Sequence, residues 1–390
     1  MTSPSPDRRA AIRFIVCVGL VSLFADMTYE GAYSSIGSLL EGLGAGALAV
    51  GLISGAGEMV GASLRYFSGR LADRTHSYWT LVIIGYVLNL VAIPALAFVS
   101  DWRWAAFLVV VERTGKAIRG PARDVLLSEA TGVVGHGWGF GLHAAMDQTG
   151  AVVGPLIMAA AIAHYQGVRP AFALLAAPAV LALAAILLAR YFRPNKGTPP
   201  KAKPSQPLTN TFWIYVAAAG LLAAGFVDFP VLAYHFQHTQ LFAPETVPIL
   251  YSIAMGVTGL TALVCGRLFD QYGIPVLVAG VAVTLLALPL GFLGGQVGGA
   301  IAVALWGAGH GVQDATLRSG IAQVVSMNKR GTAFGAFNGV YGVLWFAGSA
   351  LMGLLYGYSI VALVVFGVVM QAAAAVIFFG LRKQIVATTT

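Results

Sequence analysis

Glu112-Arg113-Thr114-Gly115-Lys116-Ala117-Ile118-Arg119-Gly120-Pro121-Ala122-Arg123-Asp124 follows directly on the apolar run 105–111, and its reading decides the fold. Six of these thirteen residues are charged, on a segment that is otherwise entering a membrane. A central Arg or Lys in a bilayer costs at least roughly 2.5–3.5 kcal/mol, so such residues persist where they face a protein interior or a wet cavity. At about 100° per residue, Lys116, Arg119 and Arg123 share one helical face, with Arg113 about 60° away. That face is expected to form one wall of a polar pathway.

The whole chain has the composition of a polytopic membrane protein. Of 390 residues, 58% are hydrophobic and 10% charged, with a mean hydropathy of +0.80; soluble proteins carry about 25% charged residues. The 48 glycines suit close helix contact in lipid. The net charge of +8 fits positive loops that set orientation, so no nucleic-acid partner is expected. Cys17 and Cys265 stand in different halves, and neither a disulfide framework nor a metal cluster is read from them.

Runs of about 20 residues give twelve spans, at 13–38, 46–68, 78–100, 104–127, 138–164, 170–190, 212–236, 246–266, 274–295, 298–325, 331–356 and 359–381. Arg8, Arg9 and Arg13 precede the first, which is read as an uncleaved helix. A polar, proline-rich linker at 192–210 separates an N-terminal bundle, 1–191, from a C-terminal bundle, 211–390. Lys and Arg cluster in alternate loops, which places both termini and the linker on the cytoplasmic side, as in a bacterial inner membrane.

Two features point to internal duplication. The stretch from Gly69 to Asp73 recurs from Gly266 to Asp270 at an offset of 197, and Phe140-Gly141 recurs as Phe334-Gly335 at 194. Spans 3, 6, 9 and 12 contain no charged residue or histidine in their interiors, whereas spans 1, 4, 7 and 10 hold Asp26 and Glu30, the 112–124 group, Asp228, and His310, Asp314 and Arg318. This period of three places every third helix against lipid and the first of each triplet around a central cavity. No Gly-x-x-x-x-Gly-Lys-Ser/Thr loop occurs, so a nucleotide-driven machine is not expected, nor a cofactor, nor an enzyme.

Gly69-Arg70-Leu71-Ala72-Asp73-Arg74 resembles the Gly-x-Leu-Ala-Asp-Arg signature in the helix 2–3 loop of the major facilitator superfamily, with an echo from Gly266 to Asp270. Arg113 resembles the arginine of the helix 4 signature, although Ala117 stands where a glycine is usual. Gly150-Ala151-Val152-Val153-Gly154-Pro155 resembles the Gly-x-x-x-Gly-Pro antiporter signature, with 156–159 lacking the usual Gly pair; a small-x-x-x-small packing surface is the alternative reading. The resemblance covers essentially the whole chain. It implies an all-α fold of twelve helices in two pseudo-symmetric six-helix bundles. It also implies secondary active transport of a small organic solute by alternating access, as proton-coupled export. Proton-coupled uptake is the alternative, with a lipid scramblase or a membrane enzyme further away.

Asp26 and Glu30 share a face of helix 1, and Asp26 lies 13 residues beyond Arg13. That is roughly 20 Å in, where it can reach Arg113 on antiparallel helix 4. Asp26, Glu30, Arg113, His310 and Asp314 are the expected proton-coupling residues; sodium would suit the same carboxylates. A permanent Asp26–Arg113 salt bridge and a packing role for His310 are the bland alternatives. Substrate contact is expected from Tyr29, Tyr33, Arg113, Lys116, Arg119, Asp147, Asp228, Asn338, Tyr341 and Trp345. The cations would suit an anionic group and the aromatic rings an amphiphilic body. Gating is expected at Gly69, Asp73, Arg74, Arg123, Gly150, Gly154, Pro155 and Asp270. The protein is expected to work as a monomer surrounded by lipid.

The resemblance places Asp73 at the seam between the two halves, where a carboxylate can accept hydrogen bonds from an arginine or a helix N-terminus. Asp73→Asn should then move the population towards the inward-open state. Site-directed crosslinking across the cytoplasmic side checks this, and an unchanged population would reduce Asp73 to a turn former.

Overall fold

The computed structural model describes residues 6–75, 77–134, 136–192, 208–325 and 330–389. Among these residues all regular structure is helical, as a backbone surrounded by lipid requires, because each helix satisfies its own N–H and C=O groups. The first five helices are α1 (Pro6–Gly42), α2 (Ala47–Thr75), α3 (Tyr78–Ala95), α4 (Trp102–Val134) and α5 (His136–Tyr165). The short α6 (Val168–Ala171) joins α7 (Ala176–Tyr191) through a 3-10 turn at Phe172–Leu175. Beyond the linker follow α8 (Asn210–Gly225), α9 (Phe229–His238), α10 (Thr246–Tyr272), α11 (Ile274–Thr284) and α12 (Ala287–Leu293). The chain closes with α13 (Gly295–Val324), α14 (Arg330–Tyr358) and α15 (Ile360–Thr389). Most of the expected linker lies outside the described residues.

Ten of the described stretches are long and apolar enough to cross a membrane. The helices α4 and α13, of 33 and 30 residues, are long enough but carry the charges that mark the polar pathway. The spans expected at 170–190, 212–236 and 274–295 are not continuous, since each is built from two α-helical pieces, α6/α7, α8/α9 and α11/α12. The two Gly-x-Leu motifs also differ from expectation. No helix breaker stands between Gly69 and Arg74, so α2 runs through this stretch to Thr75 instead of turning there. The echo ending at Asp270 likewise lies within α10. That helix stops at Gly273, whose φ of 67° only glycine adopts readily and whose N–H reaches Phe269 O at 2.8 Å.

One compact unit comprises the chain up to Ser35 and from Leu64 to the linker; the second comprises Ile36–Ser63 and the chain beyond the linker. In the second, the end of α1 and the start of α2 are held by glycines against backbone. A Cβ on Gly55 would lie 2.9 Å from Phe346 Cα, and one on Gly353 would lie 2.6 Å from Ala47 O. In the first, α3 lies along α4, and a Cβ on Gly85 would fall 2.7 Å from Gly115 O. Contact this close is what small residues permit where lipid provides no hydrophobic drive between helices.

The helices whose interiors carry no charge have exposed branched aliphatics, namely Ile84, Val87 and Val91 on α3, Val180 and Leu187 on α7, and Val361, Val365, Val369 and Val376 on α15. These are the surfaces suited to acyl chains. The opposite faces are not purely apolar. Asn89 of α3 and Gln371 of α15 are buried inside their units, where each makes hydrogen bonds.

The motif Gly150 to Pro155 brings α5 against α1. A Cβ on Gly154 would stand 2.7 Å from Met27 Cα, whereas one on Gly141, an exposed position of the same helix, would meet nothing within 4 Å. Gly154→Ala should therefore destabilise by about 1–3 kcal/mol through overpacking. Gly141→Ala should be neutral or stabilise by up to about 1 kcal/mol. Thermal unfolding of the two variants in detergent checks the contrast, and equal melting temperatures would remove the steric role of Gly154.

Candidate functional site

In the first unit, α1, α3 and α5 each bring side chains to the charged face of α4. Glu112 is buried against α3, where Asn89 Nδ2 donates to Glu112 Oε1 at 2.7 Å and to its carbonyl oxygen at 3.3 Å. The second carboxylate oxygen lies 3.3 Å from Arg113 Nε, and the Arg113 guanidinium lies 5.1 Å from the centre of the Tyr33 ring on α1. One turn on, Lys116 Nζ lies 3.9 Å from the centre of the Tyr29 ring. Arg119 is 2% exposed and lies over Tyr86 of α3 at 4.2 Å, with Tyr29 at 5.8 Å. Gly85, whose Cβ would meet the Arg119 backbone N at 2.8 Å, makes room for that contact.

Further along α4, Arg123 holds Asp124 Oδ1 through Nε and Nη2 at 3.1 and 3.0 Å. Its Nη1 lies 3.5 Å from Ser22 Oγ, which in turn is 2.8 Å from His143 Nε2 on α5. Pro121 sits inside α4 and has no N–H, so the carbonyl of Ala117 loses its helical donor. Ser68 Oγ of α2 supplies the missing hydrogen bond at 2.8 Å. Gly69 lies beside the same proline, where a Cβ would be 3.6 Å from Pro121 Cβ.

Asp26 is 3% exposed, and its nearest charged neighbour is not the expected Arg113: its carboxyl group lies close to that of Asp147 on α5. The reason is packing. Gly150 and Gly154 let α5 close on the face of α1 that carries Asp26, and a Cβ on Gly150 would be 2.8 Å from Asp26 Cβ. Glu30 and Lys116 act electrostatically on Asp26 from the same cluster. Of the expected gating residues, Arg74 is exposed near the end of α2, Asp270 is exposed near the end of α10, and Pro155 lies within α5. The side chain of Asp73 lies outside the described residues.

In the second unit the site is built around the break between α8 and α9. Ending α8 at Gly225 frees carbonyl groups that lipid cannot satisfy. Gln371 Nε2 takes Gly225 O at 2.8 Å, with Thr284 Oγ1 3.2 Å from Gln371 Oε1, and Trp306 Nε1 takes Val227 O at 2.8 Å. Asp228, buried, stands at the N-cap of α9, with Trp345 Nε1 donating to its Oδ2 at 3.4 Å. Phe226 lies against Trp306 and Trp345, and Tyr341 lies 5.5 Å from Trp345 with its hydroxyl 2.9 Å from Gln313 Oε1. His310 and Asp314 form an i, i+4 pair at 3.2 Å. Asn338 is half-buried on α14.

The structure thus joins Asp26 with Asp147, Tyr29 with Lys116 and Arg119, Tyr33 with Arg113, Asp228 with Trp345, and His310 with Asp314. Tyr86, Asn89, Gln313 and Gln371 were not among the expected residues. All are uncharged, and amides in otherwise apolar spans were the available signal.

Asn89 tests how strictly this cluster is balanced. Asn89→Leu strands a buried carboxylate, a loss of at least about 1–3 kcal/mol. Adding Glu112→Gln should not recover the loss, because it also removes the carboxylate beside the largely buried Arg113. Thermal unfolding of the single and double variants checks it, and an unaltered melting temperature in Asn89→Leu would make the contact incidental.

Residues 18–349 match the sequence profile of the Major Facilitator Superfamily. The chain is 38% identical over 389 residues to the uncharacterised protein Rv2265 of Mycobacterium tuberculosis, covering 97% of this chain and 95% of that one. It is 24% identical over 357 residues to the uncharacterised MFS-type transporter MJ1317 of Methanocaldococcus jannaschii, covering 88% and 89%. Its fold is similar to that of a point mutant of the nucleoside transporter NupG, with a TM-score of 0.76 at 14% identity over 94% of this chain and 99% of that one. An integral, multi-pass, helical protein with charges enclosed along α4 and a broken, recapped helix in its second unit, this chain belongs to the major facilitator superfamily of transporters.

Proposed function

We propose that the protein is a proton-coupled secondary transporter of a small organic solute and that Asp26 and Asp147 carry the proton together. The observation that supports this is the closeness of the two carboxyl groups where α5 packs on α1, with Asp26 almost fully buried. Two carboxyl groups this close in a desolvated contact repel when both are ionised, which favours one proton held between them. In that state α1 and α5 are tied at mid-membrane; loss of the proton sets two negative charges face to face, across the contact where Gly150 and Gly154 meet α1. The proton therefore acts on a helix–helix contact, and Pro155 in α5 gives that helix a place to bend. Arg113, held by Glu112 and stacked near Tyr33, is the neighbouring cation that can exchange partners as the contact changes.

Export is the direction that the Gly-x-x-x-Gly-Pro resemblance implies. Uptake together with protons is the second reading, favoured by the buried cation Arg119 beside the carboxyl pair. In either direction, the proposal includes bundles at 1–191 and 211–390 joined by the linker. It also includes both termini in the cytoplasm of a bacterial cell and a protein working as a monomer. Sodium is the competing ion in the test.

A solute selected by thermal-shift screening should accumulate in proteoliposomes under an imposed pH gradient, and not under a sodium gradient. Asp26→Asn and Asp147→Asn can each keep a hydrogen bond to the remaining carboxylate, so both should fold. Both should lose gradient-driven flux while retaining exchange at equilibrium. Wild-type accumulation in either variant would sink the shared-proton site.

A further inference from the structure

Arg119 and Tyr86 carry two polar groups with no hydrogen-bond partner, Arg119 Nε and the Tyr86 hydroxyl, and both side chains are almost completely enclosed. They are also neighbours, with the guanidinium 4.2 Å from the ring centre. A buried guanidinium N–H without an acceptor is unfavourable, and so is a buried hydroxyl without a partner. The other two arginines of this face each have a carboxylate close by, Glu112 for Arg113 and Asp124 for Arg123, whereas Arg119 lies against aromatic rings. A guanidinium lying over a ring still has its in-plane donors, whose fork matches the two oxygens of a carboxylate.

We propose that Arg119 and Tyr86 form the recognition site for the carboxylate of a transported organic monoanion, with Tyr29 beside it. This rests on the transporter reading above and names its substrate class. Charge sets the limit of one negative charge on the ligand. With one proton shared by Asp26 and Asp147, the acids Glu30, Glu112, Asp124 and that pair carry four negative charges, against four positive charges on Arg113, Lys116, Arg119 and Arg123. A dianion such as a phosphate monoester would meet the acids Asp26, Glu30 and Asp147 with two charges. A monocarboxylate leaves the cluster one charge short, which a second proton on the pair restores. Among the described residues, His143, close to Ser22 and Arg123, and the phenols of Tyr29 and Tyr86 also face this region. Anion and proton then bind with positive coupling, each raising the affinity of the other, and this is the linkage of cotransport.

The test uses the full-length protein in lipid nanodiscs, with benzoate and lactate as anionic probes and benzamide as the uncharged control, in acidic and in alkaline buffer. At least one of the two carboxylates should raise the melting temperature, more in acid than in alkali, and benzamide should not. Arg119→Met should abolish the shift, and Tyr86→Phe should raise the dissociation constant roughly tenfold, equivalent to about 1.4 kcal/mol. Because each variant removes a polar group that lacks a partner, both should melt at or above the wild-type temperature. The site is overturned if neither carboxylate shifts the wild type, if benzamide matches benzoate, or if Arg119→Met melts lower while keeping the carboxylate shift. Arg119-dependent binding in a protein whose flux ignores the pH gradient would support the anion site and reject the shared-proton reading, so the two can fail separately.

Discussion

Four cations on one face of one helix can stay in a bilayer only where other helices bring compensating groups to them, and the first unit is arranged around that requirement. Charge alone does not meet it. Glu112 is held by an amide from α3, Lys116 lies over an aromatic ring from α1, and Arg123 reaches a hydroxyl that also meets a histidine from α5. The glycines follow from the same requirement. Gly85 and Gly115 bring α3 close enough for Asn89 and Tyr86 to reach their partners, and Gly150 and Gly154 bring α5 close enough for Asp147 to reach Asp26. Helix contact and charge compensation are therefore one problem, solved at the same residues.

The second unit meets the backbone form of that requirement. A helix broken in mid-membrane exposes carbonyl oxygens, and an amide from α15 and an indole from α13 take two of them. Both donors belong to residues buried among aromatic or small side chains, where a neutral donor costs less to enclose than a charged one. The break also leaves Asp228 at the start of a new helix, where the helix dipole favours a negative charge.

The all-helical, multi-pass character could be seen in the sequence, because hydropathy is a strong signal. The pairing of Asp26 could not. Periodicity assigns Asp26 and Glu30 to one face of α1 but does not say which helix that face meets, and it is the glycines of α5 that decide for Asp147. Asn89 and Gln371 escaped for a different reason. A search that counts charges and histidines passes over an amide, although in lipid an amide needs a partner just as firmly. The run of α2 through Gly69 to Thr75 was hidden because a glycine and an Asp near a span end look like a turn until the helix is seen to continue.

The hydrogen bond from Ser68 to the carbonyl of Ala117 has an evolutionary corollary. The oxygen needs an outside donor only because Pro121, four residues on, has no N–H to offer. A relative with an ordinary residue at 121 would close that bond within its own helix and leave the hydroxyl at 68 only the Arg65 carbonyl of α2, 3.2 Å away, as acceptor. Positions 68 and 121 are therefore coupled by backbone chemistry, and across descendants of this fold they should be kept together or lost together.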